Sequence, residues 1–139
     1  MVGGTPEAFD AVGVVLKDMG RAIIHCGEAG AGQIVKACNN MMLAASMIAT
    51  AEALVMAERL GVSHKAVFDV VGKSTGACFA LTNYAPVPEL VPSSPANRDF
   101  KPGFAAALMM KDLGLAQEGM KAAGVDSQIG AKALEQFRV

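Results

Sequence analysis

The sequence predicts a mainly α fold: a helical bundle built around one long central helix, with a short α/β remnant at the N-terminus. Three observations carry this. Residues 33–60 contain no proline or glycine and are dominated by Ala, Leu, Met and Glu, the composition of one uninterrupted helix. Segments of similar composition recur near the C-terminal end, while RAIIHCG (21–27) is short, β-branched in its centre and closed by glycine, as a strand is. With 139 residues, 53% hydrophobic and 18% charged, the chain is long enough for a real core, which excludes disorder as the main reading.

In chain order, Thr5 suits an N-cap, Pro6 the first helical position and Gly20 a stop, so 6–19 is expected to be helical with Phe9, Val12, Leu16 and Met19 on one apolar face. A helix followed by the strand 21–27, and preceded by MVGG, reads as the tail of an α/β unit. The chain is therefore expected to begin within a domain. The run 33–60 gives a helix of roughly 40 Å at about 1.5 Å per residue, ended by Gly61. Apolar residues nearly all around its first turns predict packing on more than one side. Ser63–Val71 fits a short helix ended by Gly72, and Ser74–Leu81 a weaker one. YAPVPELVPSSPANRDFKPGF (84–104) holds five of the six prolines and must be an extended but ordered surface loop. A helix resumes after Gly103, with Phe104, Leu108, Lys111 and Leu115 expected on a shared face, and a final helix runs from Ser127 to the end.

Composition also removes several functional classes. The net charge of −1, the absence of a basic run, the single Tyr and the lack of Trp leave no footprint for nucleic acid. Cys26, Cys38 and Cys78 are odd in number and form no C-x-x-C pair, which argues against a disulfide framework or zinc site and points to a reducing, cytoplasmic setting. His25 and His64 lie in unrelated contexts, so no metal is expected. The uncharged run 37–51 falls short of the roughly 18–20 residues a membrane span needs, and the first residues lack the features of a signal peptide.

The stretch GEAGAGQIVKACNN (27–40) is the most informative. Gly27, Gly30 and Gly32 give G-x-x-G-x-G, the reverse of the dinucleotide fingerprint, with no acid-bearing second strand about 20 residues later. Gln33 after Gly32 also breaks the P-loop pattern. Lys36 is the one charge between Glu28 and Glu52, and Asn40 lies a turn above it on the same face. Such a lysine either lines a cleft or snorkels to the surface, and the residues alone leave both open.

The stretch resembles the G-x-x-G-x-G-Q-x-x-K-x-x-N-N signature of the β-hydroxyacid dehydrogenase family. YAPVPELVPSSPANRDFKPGFAAALMMKDLGLAQE and GVDSQIGAKALEQF are most similar to the 3-hydroxyisobutyrate dehydrogenases within it, and the likeness covers essentially the whole chain. The resemblance implies that Lys36 is the catalytic lysine, that Asn40 holds substrate and that Lys111 lies near bound NAD. It also implies that residues 1–27 end a nucleotide-binding domain and that 28–139 form a helical substrate and dimerisation domain continuing past the chain's end. A Rossmann half carrying G-x-G-x-x-G and an S-G-G segment would precede Met1.

On that reading the chain is the C-terminal catalytic part of an NAD-dependent dehydrogenase converting 3-hydroxyisobutyrate to methylmalonate semialdehyde in valine breakdown, inactive in isolation and oligomeric through its helical domain. A lysine can take the hydroxyl proton if burial brings its pKa down from about 10.4 toward neutrality. A sister enzyme reducing tartronate semialdehyde or a related aldehyde acid is the alternative within the family. A non-catalytic helical association module, which the Met-rich long helix would suit, is the alternative outside it.

Overall fold

The computed structural model describes residues 1–101 and 103–138. Six helices follow in order: α1 (Pro6–Met19), α2 (Ala31–Arg59), α3 (His64–Val71), α4 (Phe79–Tyr84), α5 (Ala106–Ala122) and α6 (Gln128–Gln136), with a short 3₁₀ turn at Pro95–Arg98. The fold is mainly α, organised around α2, which contacts α3, α4, α5 and α6.

Local chemistry explains most helix ends. Thr5 Oγ1 accepts from the Ala8 amide and Ser63 Oγ from the Ala66 amide, each satisfying a donor the helix leaves free. Gly61, at φ +80°, turns the chain out of α2 in a conformation that favours glycine. The weaker helix expected at Ser74–Leu81 instead forms at Phe79–Tyr84. Ser74 is drawn back onto α3, its Oγ donating to the Val70 carbonyl, and the new helix starts only after Cys78.

The expected strand 21–27 is not a strand among the described residues. Its one bridge is parallel, Val2 with His25, supported by Val2 N–H to Ile24 O at 3.0 Å and Cys26 N–H to Val2 O at 2.8 Å. Among the described residues only Val2 pairs with it, and a single bridge is not a ladder. The proline-rich loop is ordered by buried Ser94, whose Oγ donates to the Ala85 carbonyl, and by Asn97, which donates to Val91 O and accepts from Glu89 N–H.

The core lies where α2, α5 and α6 meet. Ala44, Met109, Leu113 and Ala133 are buried, with Met41, Leu43, Met47, Ile48, Leu134 and Phe137 packed around them. Burying Met109 and Leu113 completely contributes roughly 1.5–3 kcal/mol each. On α2 the buried residues Asn40, Ala44, Leu54 and Ala57 follow one stripe, while Ile34, Val35, Met42, Val55 and Met56 are exposed. Around that stripe Met41, Leu43, Met47 and Ile48 are also packed, and four helices contact α2, so it packs on more than one side as expected. By length and composition α2 could cross a membrane, since its helix extends past the charges that bound 37–51. Its four helical neighbours and the buried polar Asn40 and Thr50 give it the character of a bundle helix.

Helix α5 corrects a further expectation. Leu108, Lys111 and Leu115 are exposed and Phe104 precedes the helix, whereas Met109, Asp112, Leu113 and Ala116 turn inward. The packed stripe is one residue further along than the apolar spacing suggested, and it includes a carboxylate.

Candidate active site

Helix α2 begins at a glycine turn. Gly27 and Gly30 have φ of +119° and +91°, conformations that strain other residues, and Gly30 takes the N-cap position without a side-chain cap. Gly32 answers a different need: a Cβ there would stand 3.0 Å from the Met1 carbonyl oxygen, and one on Gly3 only 2.7 Å from that of Glu28. Backbone crosses backbone here. One turn later α2 projects Lys36, and a further turn projects Asn40 on the same side.

Both meet Asp112 of α5. Lys36 Nζ lies 3.4 Å from Asp112 Oδ2, and Asn40 Nδ2 donates to the same oxygen at 2.6 Å. Lys111 Nζ is 2.8 Å from the other oxygen, Oδ1. Asn39 Nδ2 donates to Asn40 Oδ1 at 3.0 Å, so the Asn40 carboxamide is engaged at both ends. The three residues the sequence singled out thus converge on a fourth. The Asp112 side chain is only 5% exposed, against 49% for Lys36 and 57% for Lys111.

A buried carboxylate is costly unless its oxygens are fully partnered, and here donors from two helices supply the partners. The hydrogen bond from Lys111 holds the Asp112 carboxyl below its ordinary value; burial opposes this, and the Asn40 amide and the charges of Lys36 and Lys111 assist it. Asp112 therefore stays ionised.

Asp112 did not stand out in the sequence, although a signal was present. It is the one acidic residue between Asp99 and Glu118 and lies in register with Met109, Leu113 and Ala116 on the apolar stripe of its helix. The Lys36 side chain is half exposed, with its ammonium at the end of a groove.

That groove, about 780 Å³, runs between the first turns of α2 and the second half of α5. Ile34, Ala37, Met41, Leu115 and Met120 make its walls largely apolar, and Lys36 and Asp112 supply charge. Asn40 and Lys111 stand behind the cluster rather than lining it. An apolar cleft with a few convergent polar groups at one end suits a small ligand with an anionic head. His25 is elsewhere, its Nε2 2.7 Å from the Gly4 carbonyl and its ring stacked on Phe9.

Comparison with known proteins decides the family. A family model described as the NAD-binding domain of NADP-dependent 3-hydroxyisobutyrate dehydrogenase matches residues 30–139. The chain belongs to the 3-hydroxyisobutyrate dehydrogenase family. Among 3-hydroxyisobutyrate dehydrogenases, the probable enzyme of Mycobacterium tuberculosis is 52% identical over 99% of this chain and 47% of its own length. An NAD-dependent L-serine dehydrogenase of Pseudomonas aeruginosa is 42% identical over 100% of this chain and 47% of its own. A solved structure of the M. tuberculosis 3-hydroxyisobutyrate dehydrogenase with L-serine superposes with a TM-score of 0.96 at 51% identity, over 99% of this chain and 47% of that one. The chain spans about half the length of the curated relatives it matches.

Proposed function

We propose that the chain forms the helical catalytic part of an NAD-dependent dehydrogenase that oxidises the primary alcohol of a short 3-hydroxy acid, 3-hydroxyisobutyrate first, with residues 1–27 closing its nucleotide-binding region. The observation that carries this reading is the gathering of Lys36, Asn40 and Lys111 on Asp112 at the charged end of the groove, in a chain of this family.

NAD, when bound, accepts the hydride. Lys36, half exposed at the groove's end, takes the hydroxyl proton as the carbonyl forms and returns it in the reverse reaction. Asn40 is read as holding a substrate oxygen: Asp112 takes one of its N–H groups and Asn39 one lone pair of its carbonyl, which leaves one donor and one acceptor. Lys111 presents its exposed ammonium to the cofactor side, a point charge suited to a phosphate or carboxylate. The residues fit such a cofactor and acid in charge: two ammonium groups against one carboxylate leave a net positive charge of one. The exposed apolar residues of α2 support association with a second copy, which sedimentation of the whole protein measures.

A second substrate has specific support. The P. aeruginosa relative is named for L-serine and the M. tuberculosis enzyme was solved with it, so L-serine belongs beside 3-hydroxyisobutyrate in the assay.

The test places residues 1–139 in the matched stretch of the M. tuberculosis relative and measures NAD reduction with each acid. Lys36→Ala is expected to lower kcat by about 10² or more with little change in cofactor affinity, the scale of proton-transfer catalysis. Near-normal kcat with only a raised KM would recast Lys36 as a binding residue. The 139-residue chain by itself is expected to be inactive.

A further inference from the structure

We propose that Asp112 is a positioning residue for the reaction read above: from between α2 and α5 it sets where the Lys36 ammonium and the Asn40 carboxamide stand, and it offsets one of the two lysine charges at the groove. The role rests on that functional reading, but the geometry that assigns it is separate from the roles of the two lysines.

Three features support the assignment. A carboxylate only accepts hydrogen bonds, so Asp112 Oδ2 requires the amide nitrogen of Asn40 to face it at 2.6 Å, and Asn39 completes the orientation by donating to Asn40 Oδ1. The side chain that decides which end of Asn40 points outward is thus on another helix. Next, the two lysines are held unequally. Lys111 makes a close charge-assisted hydrogen bond at 2.8 Å, whereas Lys36, at 3.4 Å, is beyond the usual range and is attracted mainly by charge. Lys36 is kept near one place yet remains free to turn to a ligand. Finally, both oxygens of Asp112 are engaged, so its influence on a ligand runs through Lys36, Asn40 and Lys111. With Asp112 ionised, the groove's end carries one net positive charge, matched to an acid with one carboxylate.

Two variants separate positioning from simple packing: Asp112→Asn keeps the volume and loses the charge, and Asp112→Glu keeps the charge and changes the reach. In the 139-residue chain, the Asn40 side-chain amide protons are expected to exchange slowly with solvent by NMR, and at least about tenfold faster in Asp112→Asn, whose amide can present either end. In the M. tuberculosis enzyme carrying residues 1–139, Asp112→Asn should lower kcat by roughly tenfold or more, the scale of a misplaced reacting group. Asp112→Glu should recover part of both effects. A folded Asp112→Asn enzyme with the parent's kcat, or an unchanged Asn40 amide, overturns the role. If the unsubstituted enzyme lacks dehydrogenase activity, the functional reading falls and this role with it; if it is active and only the variants behave as the parent, this role alone falls.

Discussion

Helices α1 and α2 are built on opposite principles. α1 has a side-chain cap at Thr5, proline at its first position and Gly20 after its last, yet it buries no residue and makes no extensive contact with another helix. α2 has no side-chain cap at its start, yet it packs against four helices and anchors the charged cluster. Local chemistry is sufficient to define the first helix, and tertiary packing holds the second. Short isolated helices are marginal in water, so α1 depends on its ends and on the Phe9–His25 stack, whereas α2 depends on its neighbours.

The sharpest way to break this contrast is to open the core. Leu113→Ala removes a side chain that is 0% exposed against α2 and α6 and should cost about 2–5 kcal/mol in urea unfolding. A loss below about 1 kcal/mol would mean that α5 does not hold α2 as described.

A smaller effect should appear in acid. The Asp112 pKa is lowered, so its contribution to stability is present above the usual value of 3.8 and is lost as the pH falls through its own lower value. Below about pH 4.5 the chain should therefore lose stability more steeply than Asp112→Asn, even though that variant starts less stable. Parallel curves would show that the carboxylate is not the coupled group.

The smallest expected effect sharpens the other side of the comparison. Thr5→Ala removes the cap of α1 at a cost of about 1 kcal/mol. Because α1 buries nothing, the loss should appear as faster amide exchange near Ala8 while the unfolding midpoint of the α2–α5 core stays in place. A fall in that midpoint would tie α1 into the core after all.

The same contrast explains what the sequence revealed. Caps and breaks act within a few residues, so Thr5, Ser63 and Gly61 marked helix boundaries, and the run without proline or glycine marked α2 to within two residues at each end. The face each helix buries depends on distant partners and was harder to read. Asp112 turns inward because Asn40, 72 positions earlier, donates to it. That rotates the packed stripe of α5 away from Phe104, Leu108 and Leu115. Lys36 and Asn40 were singled out through the family signature that spells them four residues apart; their common partner lies on another helix, where only its register with the apolar stripe marked it.

The crossing of Gly3 over Gly32 has a mechanical consequence. Glycines at 27 and 30 look like a pivot on which residues 1–27 and the helical region could swing apart. Yet Gly4 N–H bonds to the Gly27 carbonyl at 2.9 Å, and Gly3 rests against the backbone of Glu28, Ala31 and Gly32 without space for even a methyl group. Rotation about either glycine would drive one main chain into the other. The turn behaves as a weld, fastening the N-terminal segment to the start of the helix that carries Lys36.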